Sequence, residues 1–375
     1  MSRAIVPSAI ARLPWQVFVP LTALVLFGAA VLYSASPVPG GSFRPWAGTH
    51  LLRYVVFFAM AIVISRIPRD LFKNGAYFAY GGTLVLLVLV EALGAIGKGS
   101  QRWLDLGFIR LQPSELMKPA IILVLAQFYS NLPPTMTRGW RGLLPAGALI
   151  AMPAALVMLQ PDLGTALAIS FGGLVILFLA GLPLRWFIGG GLAAAIAAPI
   201  AFFTLLHDYQ RRRVTVFMDP EGDPLGAGYH ITQSKIAIGS GGLFGKGFGN
   251  GSQSGLGYLP EPQTDFVFAT MSEEWGLLGG FFVLLVFMVL FRWGLSTARE
   301  ARDRFDMLLA AGMTATVFFY VCINLMMVTG LAPVVGIPLP FMSHGGSSMM
   351  TNMICIGTIL AVSRWNRPRG LGMDQ

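Results

Sequence analysis

The chain has 375 residues, of which 55% are hydrophobic and only 11% charged, with a formal net charge of +9. A soluble domain carries about 25% charged residues, so the composition excludes an ordinary soluble fold. A basic balance would suggest nucleic acid in a soluble protein; here the arginines fall between apolar runs, so membrane topology accounts for them and no nucleic-acid partner is expected.

A spanning helix needs about 20 mostly apolar residues. In chain order the candidates are Trp15–Tyr33, His50–Ile64, Ala76–Ile96, Ser114–Ser130, Leu143–Met158, Gly164–Leu182, Trp186–Leu206, Trp275–Phe291, Met307–Gly330 and Gly346–Ser363. Between Arg141 and Arg185 lie 43 residues whose only charge is Asp162. That is too long for one span and right for two of about 20 residues each. Gln160-Pro161-Asp162 supplies the break, because proline cannot continue a helical ladder. The expected fold is an all-α polytopic membrane protein of about ten spans. It forms one domain, with a long polar loop, residues 207–271, between the seventh and eighth spans.

The charges orient it. With the N-terminus inside, the inner segments hold Arg3, Arg12, Arg66, Arg69, Lys73, Arg138, Arg141, Arg185, Arg292, Arg299, Arg302, Arg304, Arg364, Arg367 and Arg369. The short outer loops hold only Arg44, Lys98, Arg102 and Arg110. The positive-inside rule then puts both termini in the cytoplasm and the long loop outside. The two cysteines, Cys322 and Cys355, sit in apolar runs without a CxxC pair or a histidine cluster, which predicts buried inert thiols.

Polar groups inside apolar segments are costly and mark candidate sites. Gln112, Glu115 and Lys118 enter a span at three-residue spacing, within about a third of the helix circumference. Glu115 and Lys118 suit an ion pair, which either packs the helix or lines a polar cavity open to the outside. Asp162 is placed to cap the next helix. The tract Gly239–Gly247 superficially suggests a phosphate loop, but glycine follows Lys246 and no strand precedes it. An interfacial or re-entrant segment is expected instead. Asp219, Glu221 and Asp223 alternate, but the glycine and the closing glutamate are misplaced for a calcium loop. Asp265 is a lone carboxylate where the polar loop re-enters apolar sequence. Partial desolvation there would raise its pKa toward the range of a general base; a helix cap or an arginine partner is the plainer role.

The strings RWLDLGFIRLQPSELMKPA, QPDLGTAL, YHITQSKIAIGSGGLFGKG, LPEPQTDFVFATMSEEWG and PLPFMSHGGSSM occur in this order. Together they resemble the SEDS family (shape, elongation, division and sporulation) over nearly the whole chain, with a lean toward its elongation branch. The resemblance implies an inverting peptidoglycan glycosyltransferase of the bacterial inner membrane. The substrate would be lipid II, the undecaprenyl-pyrophosphate-linked disaccharide-pentapeptide, and the partner a class B penicillin-binding protein, a transpeptidase. It puts the essential aspartate at Asp265 and makes Arg110, Gln112, Glu115 and Lys118 cavity residues, with Lys235 and Glu261 as further candidates in the matching strings. His344 departs from the family, which usually has tyrosine before the paired glycines.

On that reading Asp265 accepts the proton of an acceptor hydroxyl, and cations such as Arg110 or Lys118 steady the leaving pyrophosphate. No dedicated metal cage is visible, so a divalent cation, Mg or Mn, would be shared with the pyrophosphate. A lipid II flippase is the alternative, since buried charges also mark transport paths.

Overall fold

The computed structural model describes residues 14–36, 45–93, 95–97, 100–105, 110–204, 211, 215–219, 227–259 and 261–367. Of the positions singled out above, Arg3, Arg12, Arg44, Lys98, Glu221, Asp223 and Arg369 lie outside them.

Each of the ten expected spans is helical: α1 Trp15–Ser34, α2 Pro45–Arg66, α3 Arg69–Leu93, α4 Pro113–Asn131, α5 Trp140–Leu159, α6 Leu163–Leu179, α7 Leu184–Thr204, then, after α8 Ala227–Ser240 in the long loop, α9 Val267–Glu300, α10 Arg304–Val328 and α11 Gly346–Trp365. Eight of these are long and apolar enough to cross a membrane. The other two are α4, which carries Glu115 and Lys118, and α6, at 17 residues. The chain is therefore a helical membrane protein. One stretch departs from the all-α expectation. Helix α3 ends at Leu93, and the chain then forms short antiparallel strands, Ala95–Gly97, Ser100–Asp105 and Arg110–Leu111. Hydropathy extends the third span to Ile96, because Ala95 and Ile96, two apolar residues in a hairpin, look like a helix end.

The interior is built on α4 and α10, which pack on each other and on α6 and α11. Met117, Ile121, Ile122, Val124 and Leu125 of α4 are buried, as are Phe305, Leu308 and Leu309 of α10. Exposed Leu52, Val55, Val56 and Val63 of α2, and Leu277, Leu278 and Phe281 of α9, form outer apolar faces suited to lipid. Both cysteines are free.

Helix α9 is broken near its start. Gly276 has φ 62° and ψ −157°, a conformation closed to other residues. The glycine tract of the long loop crosses the break and supplies the missing backbone partners. Leu277 N–H donates to the Gly242 carbonyl (2.9 Å) and Leu278 N–H to that of Leu243 (3.2 Å). Lys246 and Gly247 N–H donate to the carbonyls of Glu273 and Glu274, each at 3.0 Å. Irregular backbone at membrane depth is tolerated only when protein satisfies it, and the tract does so here. Lys246 Nζ is held by Glu273 Oε1 at 2.6 Å. The glycines thus serve a backbone splice, which accounts for a phosphate-loop-like composition without a phosphate.

At the arginine-rich end, Arg304 ties helix ends together. Its guanidinium donates to the carbonyls of Leu132 (3.1 Å) and Ala180 (2.7 Å), just beyond the C-termini of α4 and α6, and to Thr137 Oγ1 (3.3 Å). A cation suits the negative end of a helix. Arg304→Ala is expected to lower unfolding stability by about 1–3 kcal/mol through the stranded carbonyls, with Arg304→Lys recovering only part, read as the denaturation midpoint in detergent.

Candidate active site

Asp265 sits in a tight turn ahead of α9. Glu261 opens the turn with φ 45°, accepts the Thr264 N–H on its carbonyl (3.0 Å), and accepts Gln263 Nε2 on its carboxylate (3.1 Å). The carbonyls of Gln263, Thr264 and Asp265 are then held one by one. His344 N–H donates to Gln263 O at 2.8 Å. Ser343 Oγ donates to Thr264 O at 2.6 Å, and Asn324 Nδ2 to Asp265 O at 2.9 Å. Asn324 Nδ2 also donates to Ile337 O at 2.7 Å, so one amide clamps the turn to the segment after α10. Ser343 Oγ further accepts the Leu339 N–H (2.9 Å), and Phe341 between them is buried at φ 63°, a strained conformation kept by its surroundings. Three fixed carbonyls leave the backbone under Asp265 little freedom, while its side chain is half-buried. Asp265 Oδ2 lies 3.5 Å from the point a Cβ on Gly336 would occupy, so that glycine keeps space open beside the carboxylate.

One helical turn back along α10 from Asn324, Tyr320 meets the buried ion pair. Lys118 Nζ donates to Glu115 Oε1 at 2.6 Å and also to the Tyr320 hydroxyl, which donates to Glu115 Oε2 at 2.6 Å. Glu115, Lys118 and Tyr320 are 6%, 2% and 1% exposed, inside the packed interior. Thr351 Oγ1 of α11 donates to the Glu115 carbonyl at 3.2 Å. One face of α10 therefore touches both the Asp265 turn and the Glu115–Lys118 pair.

The other expected residues are spread out. Gln112 Nε2 donates to Asp162 Oδ2 (3.4 Å), and Arg102 pairs with the same carboxylate (3.6 Å). Asp162 Oδ1 accepts the Thr165 N–H at 3.1 Å and so caps α6, the role its position suggested. Lys235 is exposed on α8 and lies across Gly330, its Cε 2.3 Å from where a Cβ there would stand. Arg110 begins the last short strand, and its side chain lies outside the described residues. Among the described residues, no three His, Cys, Asp or Glu side chains converge as metal ligands.

Tyr320, Asn324 and Ser343 escaped the sequence reading. Tyr320 and Asn324 are polar residues four apart inside an apolar span, a pattern that marks a shared face and a cost of burial. Weighing aromatic hydroxyls and amides alongside formal charges would have found them.

The fold and this site define a class: a polytopic helical membrane protein with Asp265 on a rigid turn at the end opposite its arginine-rich face. Comparison with known proteins narrows it. The cell cycle protein family of FtsW, RodA and SpoVE matches residues 14–368. The peptidoglycan glycosyltransferase MrdB of Escherichia coli K12 is 44% identical over 346 residues, 91% of each chain. The stage V sporulation protein E of Bacillus subtilis is 41% identical, covering 76% of this chain and 77% of its own. Among solved structures, one titled for the coordination of polymerization and crosslinking by a peptidoglycan synthase complex aligns with a TM-score of 0.81 at 30% identity, covering 95% of this chain and 99% of its own. The rod shape determining protein RodA of Thermus thermophilus aligns at 0.69 and 28% identity, covering 95% and 98%. The chain belongs to the FtsW, RodA and SpoVE family.

Proposed function

We propose that the protein is a peptidoglycan glycosyltransferase that polymerises lipid II into glycan strands, with Asp265 as general base. The observation that carries the role of Asp265 is its turn, in which three successive carbonyls are pinned by Asn324, Ser343 and His344. A base must be held within hydrogen-bond reach of the proton it removes, and a fixed backbone provides that. Asp265 takes the proton of the acceptor sugar's 4-hydroxyl as that oxygen attacks the anomeric carbon of the donor. Configuration inverts, and a lipid pyrophosphate leaves. The pyrophosphate linkage supplies the driving force. The reaction takes place on the outer side of the bacterial inner membrane, with both termini in the cytoplasm, and a class B penicillin-binding protein crosslinks the product. Family membership and the crosslinking named for a structural neighbour support this partner.

Asp265→Asn keeps the size of the side chain and removes the base. Purified with its transpeptidase partner and given lipid II, it is expected to polymerise about 10²–10⁴-fold more slowly than the wild type while eluting identically on gel filtration. Polymer at the wild-type rate from the folded variant would sink the role of Asp265. Scrambling of labelled lipid II by the wild type without any polymer would sink the enzyme reading.

A further inference from the structure

Two of the arginines described here stand beside helix ends, and they stand at opposite poles. Arg304 meets C-terminal carbonyls, the favourable sense. Arg53 of α2 meets the start of α11: the point a Cβ on Gly346 would occupy lies 3.4 Å from Arg53 Nε and 3.5 Å from Cζ. The positive pole of a 20-residue helix thus faces a guanidinium, which is unfavourable for both unless an anion lies between them. No carboxylate of the described residues pairs with Arg53. The cap of α11, Gly345, offers no side chain to the first-turn N–H groups.

The neighbours of Arg53 do not neutralise it. Its Nη1 lies 3.1 Å from His344 Nε2, which also meets Thr49 Oγ1 at 2.8 Å. Burial and then the Arg53 charge lower the His344 pKa to about 4, so the ring is neutral at pH 7. His50, one turn before Arg53, is 1% exposed, and both of its ring nitrogens lack a partner. It lies near Arg53 and His344, beside the carbonyls of Phe341 and Ser343 but at bonding geometry with neither. A buried polar ring held off good hydrogen-bond geometry is expensive, and it adjoins the same cation. This corner also carries the backbone N–H that holds Gln263 O, so it is continuous with the Asp265 turn.

We infer that Arg53, His344, His50 and the open N-terminus of α11 form a binding site for a pyrophosphate group. The inference rests on the proposed glycosyl transfer for its ligand class, a diphosphate, and assigns the leaving group to this corner instead of to Arg110 or Lys118. The Gly345 N–H is taken by the Ser343 carbonyl (2.9 Å), so the helix offers the N–H groups of its first turn, from Gly346 on, which no side chain caps, and Arg53 supplies the planar fork that matches phosphate oxygens.

The test measures binding separately from turnover. Full-length protein in nanodiscs is dialysed against labelled inorganic pyrophosphate, with undecaprenyl pyrophosphate as competitor. Arg53→Gln is expected to weaken binding by about tenfold or more, the worth of one charge-assisted contact, and to raise the KM for lipid II in step. Gly345→Asp is the second variant. The Gly345 backbone is extended, and a Cβ there has 3.5 Å to Ser348 Cβ and 3.6 Å to Pro338 Cγ, so the side chain fits. It brings its own carboxylate to the helix start, and is expected to raise the melting temperature while weakening pyrophosphate binding. Binding of inorganic pyrophosphate places recognition in the diphosphate alone. Binding of only the lipid form supports the same site with the chain as a second anchor. Wild-type affinity in both variants, or no binding of either compound to the wild type, overturns the site. Asp265→Asn is expected to bind as the wild type does, so a failure of the base and a failure of this site are told apart.

Discussion

Lys118→Met is expected to abolish recovery of folded protein. The substitution keeps most of the volume of a side chain that is 2% exposed and removes its charge. Glu115 Oε1 then loses its cation, and its carboxylate keeps only the Tyr320 hydroxyl inside the interior. Breaking a buried pair from one side costs about 3–5 kcal/mol, because the surviving charge is uncompensated. That is a large part of the whole stability of a domain, about 5–15 kcal/mol. Glu115→Gln with Lys118→Met removes both charges, and is expected to restore folded protein, since an apolar or neutral replacement of a whole pair is often tolerated. The readout is the monodisperse fraction on gel filtration in detergent, followed by thermal unfolding. The double variant also separates two roles. If it folds and polymerises, the pair is structural. If it folds and is inert, the pair serves the reaction.

Much of this architecture was legible beforehand because lipid imposes simple rules. Apolar stretches of about 20 residues mark spans. Every expected span is a helix, and Asp162 caps α6 as its place after proline suggested. What could not be read was pairing across distance. Lys118 and Tyr320 are 202 residues apart, and Gln263 and His344 have no local pattern linking them. The glycine tract showed that tight turns were needed but not what lay opposite. Arg53 was hidden for a different reason: a single charge near the end of an apolar run reads as a boundary residue. Its interest lies in the helix pole it faces, which only the folded chain shows.

The break in α9 carries the second large effect. Gly276→Ala is expected to cost about 3 kcal/mol or more, because it adds left-handed strain to a direct collision. A Cβ there would stand 2.4 Å from Gly245 N and 2.7 Å from the Leu243 carbonyl, both backbone atoms that cannot swing aside. Gly245→Ala meets the same seam from the other strand, since its Cβ would lie 2.1 Å from Glu274 O at φ 78°. Either change forces the tract off the helix and strands the Glu273 and Glu274 carbonyls that Lys246 and Gly247 satisfy. The two are expected to be far from additive, as both destroy one contact. The damage should reach Asp265, because the nine residues Val267–Trp275 between its turn and the break form a short helical stub. Hydrogen exchange offers the check. In a variant that still folds, the amides of residues 242–247 and 277–278 should lose protection together, while those of α4 and α10 keep theirs. Loss confined to the substituted strand would show that the splice does not hold the broken helix, and that α9 is kept in place by its apolar faces alone.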